Sequence, residues 1–458
     1  MIFYLEEKNM FIEKLEVKDL HGIYNYVINF NQDLTFIYGK NGCGKTTILN
    51  IVSSIVTGKI YNLFSYKFSE IILTYSINKR TCEKITISKN DDTYVIFLSE
   101  DNFEENIEEI EFYSREDDEF TFERRFMNMY ESPSILKDKF NYIYLPLSRN
   151  SQNGANSSER NFVRRRSALY SEKDIINKNY LNDSLHYVEE IVRNGYMRIN
   201  SSELSINARF RSDIFTSSLK VTNKYSDTAL IYAFESKGSQ SISSVDKNKN
   251  EYIKLLKSIG EWNDDTSKSV EEFFVRYKKA FEESKIEDKV SVEFLLMNLE
   301  FTRIKEIASQ AQTIEKEKEK NRKPITNFLK IVNKFFEATE DKKTISIDTE
   351  GKLNVESGFP ERKLSLYNLS SGEKQIIIIF ACLIFGLPLD KKGIYIIDEP
   401  EASLHLAWQK IFVDSIKEVN KSIQFIFATH SPEIISRYSN RAVKLIKTIN
   451  FDENKIGE

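Results

Sequence analysis

The residues Gly39-Lys40-Asn41-Gly42-Cys43-Gly44-Lys45-Thr46 meet the spacing G-x-x-x-x-G-K-[ST] at every fixed position, the pattern of a loop that cradles nucleotide phosphates. Gly39, Gly42 and Gly44 carry no Cβ, so the loop amides can converge on the β- and γ-phosphates. Lys45 adds a point charge there, and the Thr46 hydroxyl is placed to ligate Mg²⁺. Asn41, Cys43 and Thr47 complete the candidate nucleotide-binding stretch. Such a loop needs a strand before it and a helix after it. Residues 34–38 are an apolar, β-rich run, and residues 47–52 continue at helical spacing.

Three further motifs lie more than 300 residues downstream. Leu369-Ser370-Ser371-Gly372-Glu373 opens an apolar helix, so Ser370, Ser371, Gly372 and Glu373 set hydroxyls and free amides at a helix start, where an anionic γ-phosphate is favoured. Residues 393–397 form a hydrophobic strand ending in Asp398-Glu399-Pro400. Asp398 would hold Mg²⁺ directly or through water, and Glu399, one residue on, would polarise an attacking water. Residues 423–428 read as another buried strand, ending in Thr429-His430-Ser431-Pro432, which sets His430 where it can reach the γ-phosphate. Glu399 and His430 are therefore the candidate catalytic residues, with Thr46 and Asp398 the candidate metal ligands.

The rest of the sequence bounds this chemistry. With 458 residues there is room for two or three domains. The 41% hydrophobic and 29% charged content, with 32 Phe and 23 Tyr, is that of a folded globular chain rather than a disordered one. A formal charge of −4 gives no bulk attraction to nucleic acid, so any basic site must be local. Cys43, Cys82 and Cys382 form neither a C-x-x-C pair nor an even set, which fits a reducing compartment and no zinc. Residues 1–10 hold an apolar patch too short for a signal peptide, and residues 375–387 fall short of a membrane span, so a cytoplasmic protein is expected.

In chain order, residues 11–17 and 24–30 alternate as two strands around the turn Leu20-His21-Gly22-Ile23, and they are expected in the same sheet as the phosphate loop. That turn would lie near an adenine. Tyr24 and Tyr26 could stack on it, although packing against the core is the more ordinary role of strand aromatics. Residues 71–98 suggest an antiparallel meander, followed by an acidic run from Glu100 to Glu119 that reads as a solvated face. Residues 141–147 read as a buried strand, and residues 150–158, rich in Ser, Asn and Gly, as a loop. Arg160, Arg164, Arg165 and Arg166 are the densest basic cluster, either a solvated helix face or a site for phosphates or an acidic protein. Residues 170–340 have helical periodicity, with a polar loop expected at 237–250. Pro324 is expected to end one helix and residues 325–336 to begin another, making an antiparallel hairpin.

As a set, these motifs resemble the ABC-type ATPase head of the SMC, Rad50 and RecF group. Residues 39–46 match Walker A, residues 369–373 the signature, residues 394–399 Walker B, and His430 the switch histidine. The stretch Asp398-Glu399-Pro400-Glu401-Ala402-Ser403-Leu404-His405 resembles the soluble branch found in OLD-like and phage-defence ATPases. The glutamine usual after the strand at 141–147 is replaced by Ser148-Arg149, with Gln152 nearby.

The resemblance implies an α/β fold: a P-loop head of mixed sheet, flanking helices and an antiparallel meander, interrupted by a mainly helical insertion. Its lobes would be residues 1–150 and 345–458, with the insertion at 151–344. It implies ATP and Mg²⁺ as cofactors, and a head-to-head dimer or larger homo-oligomer in which Ser370 and Gly372 of one copy face Lys45 of another.

In size and layout the chain is most similar to the AriA ATPases of PARIS anti-phage systems, with Septu and retron ATPases close competitors. That similarity implies a scaffold that holds a Toprim-type effector nuclease (AriB-like) inactive until a phage-encoded acidic DNA-mimic protein triggers release. The Arg160–Arg166 cluster would suit such a trigger. The chain itself is expected not to cut nucleic acid, because a Toprim domain after His430, an HNH-like set and a zinc cage are all missing from its pattern. The rival reading is a RecF- or Rad50-like repair ATPase that clamps duplex DNA, against which the net charge and short insertion count.

Overall fold

The computed structural model describes residues 10–77, 81–90, 93–108, 125–126, 128–146, 180–219, 242–258, 260–286, 291–358, 360–386, 393–420 and 422–449. The chain divides into two compact units, residues 1–195 with 326–458, and residues 196–325.

The first unit opens with β1 (Met10–Leu20) and β2 (Tyr24–Asn29), antiparallel partners with one buried face each. β3 (Leu34–Tyr38) is buried on both faces, and α1 (Lys45–Val56) follows the phosphate loop. The expected meander is present as β4 (Glu70–Ile77), β5 (Thr81–Asn90) and β6 (Thr93–Leu98), extended by β7 (Phe103–Glu108). Next come α2 (Ser132–Lys139) and β8 (Tyr142–Pro146). Part of the acidic run is not merely solvated: the Glu105 carboxylate accepts the amides of Glu131 (2.8 Å) and Ser132 (3.0 Å), satisfying donors that the start of α2 leaves free.

The middle of the chain is α3 (Tyr180–Leu219), α4 (Ile242–Ser258), α5 (Asp264–Ile286) and α6 (Val292–Phe336). Two expectations fail here. Residues 242–250 are not loop but the first half of α4, where Val245 faces the core of the second unit. Pro324 does not end a helix: α6 runs 45 residues through it, so the expected hairpin is one continuous helix. Proline forfeits only the bond to the carbonyl four residues back, that of exposed Lys320, which water can serve. Ion pairs from α6 to α3, Arg322 to Glu203 (2.5 Å) and Arg209 to Glu317 (2.9 Å), hold the helix on the N-terminal side of the proline. The core of this second unit is aromatic, with Phe274, Tyr277 and Phe281 of α5 against Phe294 and Phe301 of α6, and the buried Tyr277 hydroxyl donates to Asn298.

The first unit resumes with a small antiparallel sheet, β9 (Thr344–Ile347), β10 (Leu353–Gly358) and β11 (Glu361–Leu364). Then follow α7 (Ser371–Phe385), β12 (Ile394–Asp398), α8 (Leu406–Val419), β13 (Gln424–Ala428), β14 (Ala442–Lys444) and β15 (Thr448–Ile449).

Two larger sheets organise this unit. One is parallel, in the order β14-β3-β13-β12-β8; the other is antiparallel, in the order β15-β2-β1-β4-β5-β6-β7. The expectation that β1 and β2 share the sheet of the phosphate loop is thus corrected. They alternate buried and exposed residues, as an antiparallel sheet with one covered face does. β3, β12 and β13 are apolar on both faces, as only a covered parallel sheet allows. Within them Ile37, Ile394, Ile396 and Ile426 join the core with α1 and the antiparallel sheet, while Phe36, Tyr395, Ile397 and Phe427 join the core with α7 and α8. Gln424, fully buried, ties the two sheets: its side-chain amide donates to the carbonyls of Ile12 (2.7 Å) and Asn31 (2.9 Å) and accepts from the Ile12 amide (2.9 Å). Among the described residues no helix is long and apolar enough to cross a membrane.

Candidate nucleotide site

Parallel strands deliver their C-terminal ends to one edge, where loops rather than ladders meet the ligand. At that edge β3 ends in the phosphate loop, β12 in Asp398 and β13 in Ala428, with Ala428 paired to Ile37 on one side and Asp398 on the other. A cleft of about 440 Å³ opens there, lined by Asn41, Gly42, Gly44, Lys45, Thr46 and Thr47 of the loop, by Glu399 and His430, and by Leu20, His21, Tyr26 and Lys447.

The loop is held in shape by its glycines. Gly42 and Gly44 have φ of +73° and +98°, and a Cβ at Gly44 would lie 2.9 Å from the Tyr26 hydroxyl, which donates to the Cys43 carbonyl. Burial pushes the Tyr26 phenol up to about 12, so it stays a neutral donor. Lys45 is buried, its Nζ resting on the carbonyls of Gly39 (3.2 Å) and Lys40 (3.5 Å).

Asp398 lies beneath the cleft, 1% exposed, and neither carboxylate oxygen has a hydrogen-bond partner. Burial raises its pKa to about 6. The Thr46 hydroxyl draws it back down without closing a hydrogen bond, as does Lys45, while the charges of Glu399 and Glu401 push it up. An ionised carboxylate so placed calls for a cation, and a hard ion such as Mg²⁺ suits a carboxylate beside a hydroxyl. The residues present therefore fit the metal.

Glu399 sits with φ +50°, in the left-handed region. That backbone is sparsely populated for a glutamate and marks a place where the surrounding structure over-determines the chain. Its amide donates to the Ala428 carbonyl across the strand ends (2.9 Å). His21, also on the cleft wall, has φ +56°. His430 is held through its backbone: one oxygen of Glu401 accepts the amides of His430 (2.6 Å) and Ser431 (3.1 Å). Glu401 was not among the residues singled out. Its sequence signal is its place in the stretch Asp398–His405, three residues after Asp398.

Ser370, Ser371, Gly372 and Glu373 do not line this cleft. They form a capped start to α7, in which the Glu373 amide donates to the Ser370 hydroxyl and the Ser370 amide to the Glu373 carboxylate, itself paired with Lys343 (2.8 Å). A Cβ at Gly372 would meet the Ser403 carbonyl at 2.5 Å, and Gln375 donates to the Pro400 carbonyl, so this helix start packs on the segment after Glu399. Gly39 and Cys43 shape the loop without lining the cleft. Tyr24 does not line it either; its ring faces Lys447 instead. Ser148, Arg149, Gln152 and the Arg160–Arg166 cluster lie outside the described residues.

A family model described as an AAA ATPase domain matches residues 10–435. The "Retron Vc95 probable ATPase" of Vibrio cholerae serotype O1 biovar El Tor is 32% identical over 98 residues, and the "Retron Ec83 probable ATPase" of Escherichia coli is 36% identical over 93. These stretches cover 19% and 18% of this chain, and only 19% and 17% of those proteins. Among solved structures, the Smc head domain of Pyrococcus furiosus bound to the C-terminal domain of ScpA aligns over 96% of each chain at 15% identity with a TM-score of 0.41. The Smc head of Pyrococcus yayanosii with coiled coil and joint aligns over 96% of this chain and 97% of that one at 15% identity and 0.38.

Proposed function

The chain belongs to the AAA ATPase domain family, and from that premise we propose that it is an ATP-hydrolysing switch that works as a homo-oligomer and governs an effector in phage defence. One observation carries the nucleotide chemistry: the phosphate loop, Glu399 and His430 open onto a single cleft above a buried, unpartnered carboxylate. The amides of residues 41–47 and the Lys45 ammonium hold the β- and γ-phosphates. Thr46 and Asp398 hold Mg²⁺, which when bound neutralises charge on the phosphates. Glu399 orients the attacking water and takes its proton. His430 meets the γ-phosphate, on a turn gripped by Glu401. Because the α7 start stands apart from its own cleft, Ser370 and Gly372 of a second copy close the site, with Glu373 capping α7 within its own chain, which couples nucleotide state to association.

The stretches shared with the two retron ATPases support a defence setting. Within it, the chain restrains a Toprim-type nuclease and releases it when an acidic, phage-encoded DNA mimic is sensed. The test is to co-express the chain with the product of its neighbouring gene and measure the mass of the complex with and without ATP, for the wild type and Glu399→Gln. A stable complex with a nuclease, altered in mass by ATP, is expected. A lone dimer that instead retains duplex DNA, more tightly with ATP and less tightly in salt, would replace this reading with DNA repair.

A further inference from the structure

Lys447 lines the cleft although no motif contains it. It stands between β14, the edge strand beside β3, and β15, which pairs with β2 through Thr448 to Asn25 and Ile449 to Tyr24. The chain thus crosses from one sheet to the other at the mouth of the site. Lys447 Nζ donates to the Gly42 carbonyl at 2.8 Å and lies 4.3 Å from the centroid of the Tyr24 ring.

An ammonium has three donors. One serves Gly42, and the ring face holds the charge without accepting a directed bond of comparable strength. Lys45 is disposed in the same way, its Nζ on the carbonyls of Gly39 and Lys40. Both cleft lysines therefore rest on carbonyls of the phosphate loop. A phosphate oxygen is a stronger partner than a neutral carbonyl, because both members of the pair are then charged.

We infer that Lys447 is a second cationic ligand for the phosphates of the bound nucleotide, presented from the Gly42 side of the loop and held in place by the Tyr24 ring. This rests on the reading of the cleft as a nucleotide site. Lys447 carries no part of the bond-breaking chemistry, so its contribution is to affinity. An ammonium that meets phosphates common to ATP and ADP strengthens both alike.

The experiment is calorimetric titration of ATP and ADP into the wild type and into Lys447→Ala, Lys447→Met, Lys447→Arg, Tyr24→Leu and Lys45→Ala, with steady-state hydrolysis alongside. Lys447→Ala and Lys447→Met should each raise Kd for both nucleotides about tenfold, as the loss of one charge-assisted bond at a half-exposed site implies. The rate at saturating ATP should stay within about twofold of wild type, because uniform binding alone is lost. Lys447→Arg should restore affinity, and Tyr24→Leu should weaken it by a smaller factor. Wild-type affinity in Lys447→Met, which keeps the apolar stem, would overturn the inference even if Lys447→Ala failed to fold. A wild type that binds no ATP would instead overturn the reading of the cleft, a failure visible before any variant is compared.

Discussion

Replacing Asp398 with asparagine should stabilise the nucleotide-free protein while removing its activity. The Asp398 carboxylate is 1% exposed, has no hydrogen-bond partner on either oxygen, and has its pKa raised from 3.8 to about 6, chiefly by burial. That rise makes ionisation in the folded protein less favourable by about 3 kcal/mol than in the unfolded chain. Between pH 3.8 and about 6 the folded state keeps a proton that the unfolded state has lost, so stability falls as pH rises through that window. Above about 6 the penalty is complete; below 3.8 it vanishes.

Asparagine is neutral throughout, but its amide is left unpaired at a cost of about 1–2 kcal/mol, so the net gain at pH 8 is about 1–2 kcal/mol. In a unit of this size that is a rise of a few °C at most. Thermal melts in EDTA, without nucleotide, should show Asp398→Asn above wild type at pH 8 and level with it or below it at pH 4.5. With Mg²⁺ and ATP added at pH 8 the order should reverse, because the wild type, which keeps its metal ligand, gains more from binding. A deficit for Asp398→Asn in EDTA that is equal at both pH values would refute the idea of a buried charge awaiting a cation.

Glu399→Gln should cut hydrolysis by about 10²- to 10⁴-fold, the range expected for loss of a general base, while nucleotide binding persists and the oligomer is trapped with ATP; undiminished turnover would remove Glu399 from its role. Gln424→Leu should destabilise the first unit by about 2–4 kcal/mol, because the amide and carbonyl of Ile12 and the carbonyl of Asn31 lose buried partners. Chemical denaturation reads this directly, and a change below about 0.5 kcal/mol would mean that water replaces those bonds. Glu401→Ala strips the acceptor from the His430 amide, leaves the Ser431 amide only the Thr429 hydroxyl, and should lower the rate more than the affinity for ATP. Glu401→Gln keeps a carbonyl oxygen there and should recover most of the rate, and equal losses in both variants would assign the effect to charge instead.

Much of the candidate nucleotide site was legible in the sequence as a set of placements on strands and helices, because its parts are short and local. Residues 39–46 need only glycines at fixed short spacings, a lysine and a threonine between a strand and a helix, and the structure shows β3 and α1 in those places. Asp398 ends β12, with Glu399 directly after it, and His430 follows β13 for the same reason, since an apolar run of about five residues bounded by polar ones is too short for a buried helix such as α7 and fits a buried strand. What the chain does between residues 196 and 325 was readable only as helical periodicity. The continuity of α6 through Pro324 was not, because a proline is a local signal whereas the ion pairs beside it come from α3, more than 100 residues away.

Tertiary structure alone decided the rest. Whether β1 and β2 join the phosphate loop's sheet depends on which strands pair, not on their own alternation. The contacts that set the two sheets together and bring Lys447 to the loop join residues 412 and 405 positions apart, Gln424 with Ile12 and Lys447 with Gly42. No periodicity encodes such pairs. They form because burial of the two apolar cores brings those strand ends within reach, and only then do a glutamine and a lysine acquire their partners.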